Sequence, residues 1–333
     1  LAHPVRPQAY REINNFYTST VYEKGAELVR MVQTLIGKEK FRAGMDLYFA
    51  RHDGEAATVE QFIQCFADVS HRDMGQFLRW YAQAGTPEVT VASHYDAAAK
   101  TVTLHCKQTL APTPGQPVKQ PMLIPLRLGL VGADGRDLPL TRGGKTSSDG
   151  VIELTEPAQR FVFTGVEERP VLSINRGFSA PIKLVTDLSA DDLAFLAAHD
   201  TDPFNRWQAL QSIATRLLID NVAAIRAGET PASDDRLMVA LAALIEDVRL
   251  EPAFVALALV LPGEGDIARE IGRDIDPDAI HRARLALRTD IGVRLGAALS
   301  TLYERLTVPG GYTPDATSAG RRALRNVALD LIA

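Results

Sequence analysis

The chain has 333 residues, 46% hydrophobic and 23% charged, with a formal net charge of -5. These are ordinary values for a soluble globular chain of two or three domains. The acidic balance lacks the basic field that phosphate binding needs, so nucleic acid is not an expected partner. No apolar run is long enough to span a bilayer, which removes a membrane-embedded class.

Residues 1–87 read as helical. Val21, Gly25, Leu28, Val32 and Leu35 step by four and three, which predicts one helix face, with Gly37 as its C-cap. Phe41, Met45, Tyr48 and His52 repeat the step on a second helix. Thr58 with Gln61, and Asp73 with Gln76, are spaced as capping pairs that open a third and a fourth. Phe62, Phe66 and Val69 face one way on the third, and Phe77 with Trp80 or Tyr81 on the fourth. Gly85-Thr86-Pro87 closes the region.

Over residues 88–186 the period changes to two. Val102, Leu104 and Cys106 alternate with polar residues, as do Ile124, Leu126, Leu128 and Leu130 with Pro125, Arg127 and Gly129. Ile152 and Leu154, Phe161 and Phe163, and Leu172 and Ile174 continue the pattern. Turn signals separate them at Pro112 to Pro117, Asp134-Gly135, Gly143-Gly144 and Asp149-Gly150. Short alternating strands of this kind predict an antiparallel β-sandwich. Pro125 marks an edge or a bulge.

Residues 187–333 return to helix. Ser189, Asp202-Pro203, Glu251-Pro252 and Asp276-Pro277 are start signals. Trp207, Leu210, Ile213 and Leu217 form one face, and Leu237, Leu241, Leu244 and Val248 another. Short antiparallel helices joined by brief loops predict an α-helical bundle or solenoid without an exact repeat. The chain begins at Leu1 and stops inside an apolar helical pattern at Leu331-Ile332-Ala333. Both ends are therefore expected to be cut, and a lost leader stays open. Cys65 and Cys106 lie far apart at apolar-phase positions. Buried, reduced thiols in a cytoplasmic protein are expected, with a single disulfide as the other possibility.

The search for chemistry starts with metal. No two of His3, His52, His71, His94, His105, His199 and His281 have the spacing of His-Glu-x-x-His, and there is no Cys-x-x-Cys. A Gly-rich phosphate loop and a Gly-x-Ser-x-Gly elbow are missing too. Tyr22 remains open between two readings. A phenol is a neutral donor at neutral pH and suits an oxyanion at an attacked carbonyl; equally, it can fill a helix seam. Glu23 closes a Thr20-x-x-Glu23 capping box or faces a cationic substrate group. Tyr17 and Asn14 read as ordinary residues at a helix start. His105 is expected to be solvated, Trp207 to be core, and Arg321-Arg322 to be a solvated helix face.

The stretch Asn14-Asn15-Phe16-Tyr17-Thr18-x-Thr20-Val21-Tyr22-Glu23-Lys24-Gly25-Ala26-Glu27 resembles the zinc aminopeptidases typified by bacterial aminopeptidase N. Further matches follow in order: Leu47-Tyr48-Phe49-x-Arg51-His52-Asp53-Gly54, Arg79-Trp80-Tyr81, Gly85-Thr86-Pro87-x-Val89-Thr90-Val91, Lys119-Gln120-Pro121, Phe178-Ser179-Ala180-Pro181 and Arg206-Trp207. The resemblance implies that Tyr22 hydrogen-bonds the tetrahedral intermediate opposite zinc. It also implies that Glu23, Tyr17 and Asn14 lie near the substrate's free amine and first side chain.

The family's His-Glu-x-x-His, its downstream Glu ligand and its Gly-x-Met-Glu-Asn motif precede the matched stretch and do not occur in this sequence. The resemblance therefore implies the back of a longer zinc-dependent enzyme that removes N-terminal residues from peptides. Its expected parts are the helical rear of a thermolysin-like catalytic domain (1–87), a β-sandwich domain (88–186) and a helical domain (187–333) that continues past Ala333. Zinc belongs to the full-length parent, and this chain alone is expected to bind none and to be inactive. Two alternatives remain: a relative with epoxide hydrolase activity on the same scaffold, or a non-catalytic sandwich and helical module that binds protein partners. Oligomeric state is not readable.

Overall fold

Residues 3–147 and 150–333 are described in a computed structural model of the chain. Leu1, and Asp149 of the expected Asp149-Gly150 turn, lie outside the described residues. The chain divides into two compact units. One holds Leu1–Ala133 and Asp137–Asp187, the other Asp134–Arg136 and Leu188–Ala333. The expected change from helix to strand falls inside the first unit.

The first unit begins with a 3-10 turn at Ile13–Phe16 and a π-helical turn at Thr20–Lys24. Then come α1 (Gly25–Ile36), α2 (Lys38–His52), α3 (Val59–Ser70) and the short α4 (Arg79–Ala82). Gly37, at φ +82°, ends α1 as expected. Thr58 and Gln61 form the expected reciprocal capping box on α3. Asp73 and Gln76 do not form one. Asp73 Oδ1 accepts from Gly75 N in a tight turn, and the Gln76 amide donates to the carbonyls of Pro121 and Thr155. A local cap has lost to a long-range anchor. The helix core gathers Leu28, Met31, Val32, Ile63, Phe66, Phe77 and Trp80, all buried. α2 comes so close to α3 that a Cβ on Gly44 would overlap the Phe66 ring.

The same unit carries β1 (Glu88–Asp96), β2 (Thr101–Thr109), β3 (Ile124–Val131), β4 (Asp137–Leu138), β5 (Leu140–Arg142), β6 (Lys145–Ser147), β7 (Val151–Leu154), β8 (Ala158–Thr164), β9 (Val171–Ile174) and β10 (Lys183–Thr186). One sheet runs β10-β1-β2-β8-β5-β6; the other runs β4-β3-β7, with β9 also on β3. Val91 opposes Cys106, Leu104 opposes Phe161, and Val102 opposes Phe163. Those side chains are buried, as are Ile124, Leu126, Leu128, Leu130, Ile152, Leu154, Leu172 and Ile174 of the second sheet. Two sheets with buried apolar faces make the predicted sandwich. The pairing is not wholly antiparallel, because β10 joins β1 in parallel.

β3 departs from simple alternation: it is buried on both faces except at Arg127. Pro125 falls in the half of β3 that pairs only with β7, where its missing N–H leaves no central ladder broken.

The second unit is helical: α5 (Ala190–His199), α6 (Pro203–Arg226), α7 (Asp235–Glu246), α8 (Pro252–Ala258), α9 (Glu264–Ile271), α10 (Pro277–Arg305) and α11 (Ala316–Ile332). The predicted starts hold. Ser189 and Asp192 form a capping box, and Pro203, Pro252 and Pro277 open their helices. α6 and α10, of 24 and 29 residues, are longer than the short helices expected.

Three details differ from expectation. Val248 is 71% exposed because α7 ends at Glu246 and its stripe stops with it. Trp207 is half-buried rather than core, the α6 stripe being Ala209, Leu210, Ile213, Ala214 and Leu218. Arg321 and Arg322 are not a solvated face: Arg321 donates to the Arg305 and Thr307 carbonyls at the end of α10, and Arg322 lies 4.7 Å over the Tyr312 ring. No helix among the described residues is long and apolar enough to cross a membrane.

Candidate functional site

The π-turn Thr20–Lys24 interrupts the expected α-helical stripe. The buried positions are Thr20, Lys24, Leu28, Met31 and Val32, whereas Val21, Gly25 and Leu35 are only half-buried. The inward face has moved back by one residue, and this decides where Tyr22 and Glu23 point. Both lie between two buried anchors and face outward. Tyr22 is 59% exposed and Tyr17 56%. Their ring centroids lie 6.2 Å apart. Phe16 stands edge-on to Tyr17 at 5.7 Å, and Tyr10 edge-on to Phe16 at 6.0 Å. Asn14 is exposed on the preceding 3-10 turn. The structure thus brings Tyr17 beside Tyr22, with Glu23 next to them in the chain.

Neither reading of these residues as packing or capping groups is what is seen. The hydroxyl of Tyr22 makes no hydrogen bond among the described residues, and its ring does not fill a helix seam. The Thr20-x-x-Glu23 capping box is absent. Thr18 caps instead: its Oγ1 accepts from Val21 N at 3.2 Å, while its carbonyl accepts from Tyr22 N at 3.0 Å. Thr18 Oγ1 also lies 3.1 Å from His3 Nε2. Thr20 is buried and cannot serve as an exposed cap, so the Glu23 carboxylate is left facing solvent.

The C-terminal anchor of the turn is a residue that the hydrophobic pattern passes over. Lys24 is 7% exposed. Its Nζ donates to the Gly85 carbonyl at 2.7 Å and lies 5.5 Å from the Trp80 ring centroid. It has no ion pair with a carboxylate among the described residues. Burial, and secondarily the charge of Lys119, push its pKa down to about 8. Trp80 is itself held by its indole N–H on the Leu123 carbonyl at 2.7 Å. A lysine in phase with Leu28 on an otherwise apolar face was the available signal.

The Lys119-Gln120-Pro121 stretch serves the same turn. Lys119 Nζ donates to the Ala84 carbonyl, to Thr113 Oγ1 and to Gln116 Oε1 at 2.6–3.0 Å. Gln120 exchanges hydrogen bonds with the Gln83 side chain, and the Pro121 carbonyl accepts from Arg79 at 2.6 Å.

The far side of α1 is held by Arg30. It pairs with Glu27 and donates to the carbonyls of Gly177 and Phe178 at 2.6 and 2.5 Å. There Asn175, Gly177 and Phe178 all adopt positive φ. Asn175 Oδ1 accepts from Ala180 N and from Ser179 Oγ, both at 3.0 Å, which accounts for the Phe178-Ser179-Ala180-Pro181 stretch as a locked corner.

A metal fits these residues poorly. Among the described residues no group of three His, Cys, Asp or Glu side chains could hold an ion. The arrangement can present a phenol, a carboxylate and an aromatic wall to a ligand, but it offers no zinc ligand set.

Comparison with known proteins covers the chain in three consecutive pieces. Residues 2–81 match the peptidase family M1 domain. Residues 85–187 match a domain of unknown function, DUF3458, with an Ig-like fold, and residues 190–333 match its C-terminal ARM-repeat companion. Aminopeptidase N of Caulobacter vibrioides is 47% identical over 333 residues, all of this chain and 37% of that protein. Aminopeptidase N of Escherichia coli is 39% identical over 333 residues, 38% of its own length. The chain thus spans well under half the length of these curated relatives. In structure it is similar to Legionella pneumophila aminopeptidase A, solved in complex with aspartic acid. The TM-score is 0.84 at 25% identity, over 99% of this chain and 37% of that one.

Proposed function

Because the chain belongs to the M1 peptidases, in the aminopeptidase N branch, we propose that its full-length parent is a zinc-dependent aminopeptidase. It removes N-terminal residues from peptides, and this chain supplies part of the substrate-facing wall. The observation that carries the reading is the Tyr22 phenol, exposed and without a hydrogen-bond partner among the described residues, on a pinned π-turn inside the stretch matched to the M1 domain.

A peptide carbonyl gains negative charge on its oxygen as it is attacked. A neutral O–H held in place stabilises that charge without having to reorganise. Tyr22 is the group of this chain suited to that role. Glu23, facing out beside it, suits the positive charge of a free N-terminal amine. The Tyr17 ring suits contact with the first side chain, and Asn14 offers amide hydrogen bonds at the same edge. The residues present do not fit a zinc site, so no step through the metal is assigned to them. Two buried free thiols support a reducing, cytoplasmic setting.

The test is Tyr22→Phe in the full-length protein, assayed on an aminoacyl-anilide. We expect kcat to fall by roughly 100- to 1,000-fold with zinc content and KM nearly unchanged. An unaltered kcat would remove Tyr22 from the reaction. The 333-residue chain alone is expected to show no hydrolysis and no stoichiometric zinc by elemental analysis.

A further inference from the structure

We propose that Lys24 is a positioning residue for Tyr22 and Glu23, a buried cationic pin that sets the direction in which the π-turn presents them. The proposal rests on the aminopeptidase reading for its catalytic consequence, but the pin itself is a property of this chain.

Lys24 is an expensive residue for its place. A buried ammonium is costly unless paired, and no carboxylate pairs with it among the described residues. What compensates it is fixed: the Gly85 carbonyl at 2.7 Å and the face of Trp80 at 5.5 Å. Both partners are rigidly held. Trp80 is fully buried with its N–H on Leu123. Gly85 has φ +94° and follows Ala84, whose carbonyl is gripped by Lys119. A leucine at position 24 would bury apolar surface at no such cost, but it would have no directional bond and would fix the turn less tightly.

The spacing gives the pin its meaning. Lys24 ends the π-turn, one residue after Glu23 and two after Tyr22. Thr20 is buried at the other end, where the Thr18 hydroxyl caps Val21 N. Two inward anchors therefore flank the two outward groups. A helix turns about 100° per residue, so a slip at either anchor swings the phenol round the axis by several ångströms. π-turns are themselves uncommon and are frequently found at functional sites. A misplacement of about 1 Å can cost on the order of 100-fold in rate.

The test begins on the 333-residue chain, with 3-fluorotyrosine placed at position 22. We expect one sharp fluorine resonance in the parent chain, and a shifted or broadened one in Lys24→Met with the far-UV circular dichroism unchanged. An identical resonance would overturn the pin. Should Lys24→Met fail to fold, Lys24→Leu, which likewise has no donor for the Gly85 carbonyl, is read the same way.

Kinetics then judge the consequence. In the full-length enzyme, Lys24→Met should lower kcat by at least about tenfold with KM within about twofold. Combined with Tyr22→Phe it should cause no further loss, since it acts through that phenol. Additive losses, or an unchanged kcat, would show that Lys24 does not act by positioning Tyr22. If instead the unaltered enzyme has no aminopeptidase activity, it is the function reading that fails, and the fluorine measurement still decides the pin.

Discussion

Lys24 carries a pH signature that follows from its surroundings. Its folded-state pKa of about 8 lies below the ordinary lysine value of 10.5, chiefly because burial disfavours the charged form. Below pH 8 both folded and unfolded chains hold the proton, and the full cost of burying it is present. Between about pH 8 and 10.5 the unfolded chain retains a proton that the folded chain has shed, so this residue's contribution to stability rises with pH. Chemical denaturation of the parent chain and of Lys24→Met should therefore show a constant difference from pH 6 to 7.5. From pH 8 to 10 it should shift by roughly 2 kcal/mol in favour of the parent chain. A flat difference across both ranges would mean that Lys24 keeps an ordinary lysine pKa.

At the scale of elements, the tightest fit is between β3 and the corner after β9. Arg176 is buried and forked onto Asp137, with Nη1 and Nη2 at 2.8 and 2.7 Å from its two oxygens, while Nε donates to Ser173. Its guanidinium occupies the space where a Cβ on Gly129 would stand. Gly129→Ala should expel it and cost roughly 2–4 kcal/mol in thermal or denaturant unfolding, with the Asp137 pair broken. A loss near zero would show that the arginine moves aside freely.

The same scale shows what was legible in the sequence. The Thr58-Gln61 box and the starts at Ser189, Asp202-Pro203, Glu251-Pro252 and Asp276-Pro277 are local chemistry, and they folded as read. Gly129 looked like a solvent-side position of an alternating strand, because nothing near it in sequence announces an arginine from residue 176. The π-turn was hidden for a related reason: periodicity assumes a constant pitch, and a widened turn breaks the phase across it, so the stripe read at Leu28 and Val32 does not extend back to Val21 and Gly25. So Val21 and Gly25 were assigned inward when Thr20 and Lys24 are. Tyr22, Tyr17, Glu23 and Asn14 could be singled out by resemblance, but the turn that holds Tyr22 and Glu23 between two buried anchors could not.

Across the whole molecule, both cysteines are sealed. Cys65 is fully buried and Cys106 nearly so, and burial raises the Cys106 thiol to about 11. A thiol reagent at pH 8 should modify neither in the folded chain and both on denaturation, giving two groups per chain. Fast labelling of the native protein would contradict that burial.

The chain's two tryptophans differ in the same respect. Trp207 is half-buried and open to a soluble quencher, whereas Trp80 is sealed beneath the Lys24 ammonium. Quenching the first leaves an emission that comes from the second alone. The indole that braces the turn is thereby an optical gauge of it: its colour and yield respond to whether a charge stands over the ring, and so report the state of the pin in a cuvette without substrate, metal or label.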